Sequence, residues 1–450
     1  MQHTQNARCI ITLRRSIFGE LHKFERHKLV IRVPLPAMRV QFFLICMLLI
    51  LSGASQAQLA SPLALWVQLG DLTEARALVN GTVCPLLMRD GAPLPMSVRA
   101  AATPDFPLLC GAPIPAGTKA VTFNGTALPL PVSNPQRILV LGDTGCRIKD
   151  PELQACNDPK AWVFPKLAAA AAKLKPDLII DLGDYVSREG QCPARFSGCM
   201  DSPFGDNWLA WRTDFFSPAA PLLATAPIIL TRGNHEDCTR EGAGWLRLMS
   251  PMAFNPQAAC APHVAPFFVS FTRLTLAVLD TSGALEADLV PDLASSYADD
   301  LAGLARISTP LFMVQHRPIW GAISGPLDIP IGGNATLSAG VNKSGIPANV
   351  DLMLSGHIHG FEAMNYYDGF PPQIIGGNGG DLLHDIPRLL KGAVFQGTLA
   401  AGVKDGVSAS GFGFLVLRPA GSDWFVDTYD QDGTLKFQCR LKNRRIDCAK

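Results

Sequence analysis

The sequence contains no Cys-x-x-Cys pair, so the short thiolate spacing of a cysteine zinc site is missing. It has no long run of like charge and no internal repeat, which sets aside polyelectrolyte tails and solenoid architectures. Low complexity is confined to the short alanine run from Ala168 to Ala172. Its main apolar run, Phe42 to Leu51, is ten residues long, about half of the roughly 20 that a spanning helix needs. Charged residues make up only 17% of the chain, with a formal net charge of +1. Histidine is scarce, at nine in 450 residues, so its placement carries information.

The run Phe42 to Leu51 follows Arg39 and precedes Ser52-Gly53-Ala54-Ser55-Gln56-Ala57. A basic start, a short apolar core and small residues at the end predict a cleaved signal peptide over residues 1–57, hence a periplasmic or secreted protein without a stable membrane span. Met38 stands immediately before this unit and is the expected true start. Without residues 1–57, 31 basic and 36 acidic residues remain, a net charge of −5. That balance disfavours a nucleic-acid partner, whose phosphates call for basic patches. Ten cysteines also remain: Cys84, Cys110, Cys146, Cys156, Cys192, Cys199, Cys238, Cys260, Cys439 and Cys448. An even number in an exported chain predicts disulfides, most simply five pairs of sequence neighbours. Asn80, Asn124, Asn334 and Asn342 begin glycosylation sequons.

Residues 58–133 have short apolar pieces (Leu63 to Val67, Ala75 to Val79, Ala120 to Phe123) between Gly and Pro turns, as expected of a small β-rich domain. They carry no histidine and are assigned no chemistry. From residue 134 strands alternate with helices, which predicts an α/β domain running to residue 450. The expected strands are Arg137 to Leu141, Asp177 to Leu182 (breaking at Gly183), Ile228 to Thr231, Thr275 to Leu279, Leu311 to Val314 and Val350 to Leu354. Pieces at Gln373 to Ile375, Phe412 to Leu417 and Trp424 to Tyr429 close the sheets. Helices are expected over Trp162 to Leu174, Trp208 to Phe215, Gly242 to Met249 and Leu293 to Ile307.

Five of these strands end in turns that carry Asp, Asn or His: Asp143, Asp184, Asn234 with His235, His316, and His357 with His359. Only six histidines lie beyond residue 57, and four of them sit in these turns. Carboxylate, amide and imidazole donors suit Zn, Fe or Mn, and this set exceeds what one catalytic ion needs. Two ions with open positions would use it, with one carboxylate between them. His263 and His384 lie outside any turn of this kind and read as structural. Asp181 and Asp280 read as caps for backbone at strand ends. Glu236 either orients His235 or is solvated. Arg232 and Arg317 are either substrate contacts or structural ion pairs. The Gly376 to Gly380 run reads as a tight turn.

The blocks Asp143-Thr144-Gly145, Gly183-Asp184, Gly233-Asn234-His235-Glu236, His316 and Gly356-His357-Ile358-His359 resemble, in order, those of the calcineurin-like metallophosphoesterase superfamily, over roughly residues 137–360. The resemblance implies a β-sandwich flanked by helices, here preceded by the small β-rich domain. It implies that Asp143, Asp184 and His359 hold a first metal, and Asp184, Asn234, His316 and His357 a second. Asn234 and His235 would meet the substrate, with His235 stabilising the phosphoryl group or protonating the leaving oxygen. The implied reaction is hydrolysis of a small phosphate mono- or diester by in-line attack of a metal-bound hydroxide, with two divalent or trivalent ions (Fe, Zn or Mn) as cofactors. The alternative is a non-catalytic protein that retains metal on the same scaffold. Asp-x-Gly in place of Asp-x-His resembles the purple acid phosphatases, which add a metal-binding Tyr three residues after the bridging Asp. Here that position is Ser187, with Tyr185 nearer by. Either side chain, or water, is left to complete the first metal.

Overall fold

The computed structural model describes residues 61–367, 369–393, 395 and 402–449. The signal segment and Met38 lie outside the described residues. Among those described, no helix is long and apolar enough to cross a membrane.

Two large sheets carry the fold. The strands Ile138–Leu141, Leu178–Asp181 and Ile228–Leu230 run parallel at the centre of an eleven-stranded sheet. The strands Thr275–Leu279, Leu311–Gln315, Val350–Ser355 and Gln373–Gly376 run parallel within a seven-stranded sheet. These strands are short, apolar and buried along their whole length, apart from half-buried Asp351, as expected when both faces are covered. Alternation then divides their side chains between two cores. Ile138, Val140, Leu178 and Ile180 meet Leu276, Phe312, Val314 and Leu352 between the sheets. Leu139, Leu141 and Ile179 face outward onto Phe164, Leu167 and Phe215. On the far side Ala277, Met313 and Met353 pack on Tyr297, Leu301 and Val341 of the helices Pro291–Leu304 and Ala335–Ser344. Each fully buried Leu, Ile or Phe in these layers contributes about 1.5–3 kcal/mol. The result is the expected β-sandwich flanked by helices.

The N-terminal region is β-rich, as expected. Ala64–Leu69 pairs in parallel with Ile228–Leu230, and through it Thr73–Val79, Leu108–Pro113 and Ser97–Ala100 extend the first sheet. Four shorter strands form a separate small sheet.

Local chemistry sets the element ends. Pro165 opens the helix Phe164–Lys173, and Pro291 begins the helix that was expected from Leu293. Asn207 caps the segment expected to be helical from Trp208, accepting from Leu209 N and Ala210 N. That segment and Gly242 to Met249 are each a single α turn running into a π turn, not regular helices. The helix Ala335–Ser344 was not anticipated; Asn334 caps it by accepting from Leu337 N at 2.9 Å. Asn334 is 1% exposed, so this sequon is not accessible on the folded chain. The five disulfides are Cys84–Cys110, Cys146–Cys156, Cys192–Cys199, Cys238–Cys260 and Cys439–Cys448, the sequence-neighbour pairing throughout.

Candidate metal centre

The parallel strands of both sheets deliver their C-terminal ends to one place. The first sheet supplies Asp143, Asp184, Asn234 and His235; the second supplies His316, His357 and His359. Backbone bonds tie the turns together: Asp143 N donates to Gly183 O at 2.8 Å, Thr144 N to Asp184 O at 3.1 Å, and Gly356 N to His316 O at 2.9 Å. Asp143, Asp184 and His357 all lie in the left-handed region, with φ of 56°, 58° and 71°. Such conformations cost roughly 1–3 kcal/mol each in a non-glycine residue and cluster at functional sites. Gly183, at φ 104°, has no such cost, and a Cβ there would lie 2.8 Å from Gly233 N and 2.9 Å from His316 Nδ1. Glycine is what lets the three turns close on one another.

The donor atoms of Asp184, His316 and His357 all lie within 4.8 Å of one another. His316 Nε2 is 3.2 Å from Asp184 Oδ2 and 2.9 Å from Asn234 Oδ1. His359 Nε2 is 3.4 Å from Asp143 Oδ1. His316 Nδ1 is anchored on Leu182 O at 2.8 Å and His359 Nδ1 on Leu382 O. An Nδ1–H held by a carbonyl leaves Nε2 as the ligating nitrogen, which is how metal-binding imidazoles are commonly oriented. His384 stacks on His359 with centroids 4.2 Å apart and accepts its backbone N–H, so its structural role lies next to the site. His263 instead pairs with Asp300 at 2.7 Å.

The electrostatics of the pocket call for cations. Burial alone would raise Asp184, but His235, His316 and His357 outweigh it and hold the carboxyl well below the usual range. Burial keeps Asp143 above that range. Burial also works against protonated His316, yet Asp184 and Asp143 push it up to about 9. His359 is likewise raised to about 9 by Asp381 and Asp143 against its burial. Burial, with Arg317 and His316 nearby, keeps His357 neutral by lowering it well below its ordinary value. Burial lowers His235 to about 4. The protons on His316 and His359 therefore offset carboxylate charge that a metal ion would otherwise offset. Oxygen and imidazole donors, packed this closely, fit such an ion.

Glu236 is fully buried, so the solvated reading does not hold. Its carboxylate accepts from the N–H groups of Gly233, Asp184, Tyr185 and Val186 at 3.1, 3.0, 2.8 and 3.4 Å. It thereby joins the Asp184 turn to the Asn234 turn. Tyr185 is not a ligand: its hydroxyl donates to Thr231 O and accepts from Thr231 N, and its ring packs among Trp211, Phe215 and Trp245. Ser187 Oγ donates to Asp381 at 2.7 Å. A Cβ on Gly145 would lie 2.7 Å from that same Oγ, so Ser187 occupies the space next to the Asp-x-Gly block.

Arg232 is a structural cation, paired with Asp280 at 3.1 Å and bonded to the carbonyls of Glu236 and Ala261. Asp181 and Asp280 accept from Gly183 N and Ser282 N, as strand-end caps. Arg317 pairs with Glu286, whose Oε1 also lies 3.0 Å from His357 Nε2. The glycine run packs directly behind the turns, Gly379 N donating to Gly142 O. Four residues at the site were missed: Arg147, Glu189, Glu286 and Asp381. Glu189 Oε1 is 3.2 Å from His235 Nδ1, and Arg147 Nη1 is 3.2 Å from His235 Nε2. None belongs to a motif block; only the Asp-x-Gly departure hinted that other groups fill this side.

A sequence profile described as calcineurin-like phosphoesterase matches residues 136–361, half of the chain. Among solved structures the chain is similar to the purple acid phosphatase PPD1 from yellow lupin (Lupinus luteus) seeds. The TM-score is 0.56 at 14% identity, covering 84% of this chain and 74% of that one. It is also similar to PhoD, with a TM-score of 0.52 at 11% identity, covering 87% of this chain and 93% of that one. At these identities the likeness concerns the fold. No curated protein matches in sequence.

Proposed function

This chain belongs to the calcineurin-like phosphoesterase family, and on that premise we propose that it is an exported phosphoesterase using two metal ions on small phosphate mono- or diesters. The observation that carries the reading is the convergence of five strand ends from two sheets on one cluster of O and N donors, with those of Asp184, His316 and His357 within 4.8 Å. Asp143, Asp184 and His359 would hold one ion, and Asp184, Asn234, His316 and His357 the other. Bound ions polarise phosphoryl oxygens and lower the pKa of water from about 15.7 towards 7.

The chain's own groups supply the rest. His235 faces the cluster, its Nε2 3.7 Å from Asp184 Oδ2, and it would hold a proton for the leaving oxygen or stabilise the phosphoryl group. Glu189 Oε1 lies 3.2 Å from Nδ1, in ion-pair range of a proton carried on the ring. Asn234 is 5% exposed and would orient a phosphoryl oxygen with its amide. The five disulfides support a periplasmic or secreted setting. Residues 134–450 would form the catalytic domain and 58–133 the domain before it. The deciding experiment is hydrolysis of a panel of aryl phosphate mono- and diesters with added Mn, Zn or Fe. Turnover that depends on metal supports the reading; full occupancy without turnover would leave a metal-retaining binding protein instead.

A further inference from the structure

Asp381 is fully buried, and neither the metal set nor the proton donor uses it. Its carboxylate makes three contacts with two side chains, besides accepting from the N–H of Leu382. Oδ2 accepts from Ser187 Oγ at 2.7 Å, Oδ1 accepts from Arg147 Nε at 3.1 Å, and Oδ2 lies 3.0 Å from Arg147 Nη2. The Arg147 pair is therefore two-pronged, which fixes the plane of the guanidinium. Burying two charges costs more than a surface pair does and adds little net stability by itself. Its position suggests a use for it.

The edge of Arg147 opposite Asp381 points at the reaction centre. Nη1 lies 3.2 Å from His235 Nε2, while Nδ1 of that ring lies 3.2 Å from Glu189. The guanidinium donates, so before substrate arrives His235 Nε2 is the acceptor. A phosphoryl oxygen arriving between them is a better acceptor, because it is anionic. Arg147 is also held before any ligand arrives. It sits in the loop closed by Cys146–Cys156, and its backbone N–H donates to Gln154 Oε1 at 3.0 Å. Gln154 in turn donates to Ala161 O and Gly380 O, both at 2.8 Å. The Arg147 side chain is 11% exposed, so little rotamer freedom is left to lose on binding.

We infer that Arg147 is a substrate-contacting residue that receives an unesterified phosphoryl oxygen beside His235, with Asp381 and Ser187 as its positioning residues. This rests on the phosphoesterase reading and extends it to a cation outside the metal set. It also gives Ser187 a role: the position where a phenolate was sought carries instead the hydroxyl that anchors Asp381.

The test uses the full chain loaded with Mn(II). Calorimetry measures the affinity for inorganic phosphate, elemental analysis measures metal content, and kcat and KM are taken for 4-nitrophenyl phosphate. Arg147→Gln should weaken phosphate binding by about tenfold or more, and Arg147→Lys by less, since it keeps the charge but not the fork. Asp381→Asn and Ser187→Ala should raise KM more than they lower kcat. Metal content should stay at the parent value in all four. Should Arg147→Gln fail to fold, Arg147→Lys and Ser187→Ala carry the same comparison. Phosphate affinity within about twofold of the parent in a folded, metal-loaded Arg147 variant overturns the inference. A parent that binds phosphate but hydrolyses no ester sinks the hydrolase reading alone, and the calorimetric comparison still decides Arg147. A parent that binds no phosphate overturns the inference.

Discussion

The two sheets contribute unequal halves to the centre. The turns of the first sheet carry Asp143, Asp184 and Asn234, and they are braced by backbone bonds and by the four-way carboxylate of Glu236. Of the proposed ligands, the turns of the second sheet carry only imidazoles. His316 and His359 are each anchored through one bond to a carbonyl, and His357, with a side chain 23% exposed, faces Glu286 on a more open side. The difference is one of charge and burial. Carboxylates that must stay together and dry need a rigid surrounding of N–H donors. Neutral ligands need only orientation, so one bond each is enough.

If that contrast is right, damage to the first half should exceed damage to the second. Asp184→Ala removes the one carboxylate common to both proposed ion sites, and should abolish binding of both ions and lower turnover by at least about 10³-fold. Retention of either ion on elemental analysis would count against the bridging role. His357→Ala should remove the second ion and turnover while the first ion stays, giving about half the parent metal content on the same assay. Unchanged activity would refute the assignment. Glu236→Ala removes no proposed ligand, but it leaves buried N–H groups, that of Asp184 among them, without an acceptor. It should cost roughly 3–5 kcal/mol in denaturant unfolding. A cost as small as that of a surface substitution would show that the first half is not braced as described.

The smallest effect concerns pH. In protein stripped of metal, His316 and His359 are raised to about 9, against about 6.5 in an unfolded chain. Their contribution to stability is fully present below the unfolded value and is lost as pH rises through the folded one. The stripped protein should therefore lose thermal stability between about pH 6.5 and 9. The loaded protein, whose imidazoles are already held deprotonated, should show a flatter profile. Parallel profiles would separate these histidines from the metal.

This asymmetry also explains which parts were legible in the sequence. Strands such as Leu178–Asp181 and Ile228–Leu230 are buried on both faces, so they stand out as apolar runs, and the glycine turns behind them mark Asp184 and Asn234. Spacing alone does not fix a disulfide pairing, but the simplest one, between sequence neighbours, is the one found, each bridge closing a short loop from 7 to 26 residues apart. The surrounding groups were not legible. Asp381 reaches the site from 194 residues beyond Ser187, and Glu286 from a loop without periodicity. Glu236 stood in plain view within its block, yet its partners are backbone N–H groups, and backbone partners leave no trace in side-chain pattern. Tyr185 could not be placed from its neighbours either, because the aromatic slot that takes its ring is built from Trp211, Phe215 and Trp245.

The central claim is that two ions on this cluster drive ester hydrolysis. It is tested most directly by titrating stripped protein with Mn(II) while following bound metal and hydrolysis of 4-nitrophenyl phosphate in the same samples. The account predicts that turnover rises with the second equivalent and saturates at two ions per chain. Saturation at one ion, or two bound ions without turnover, would contradict it.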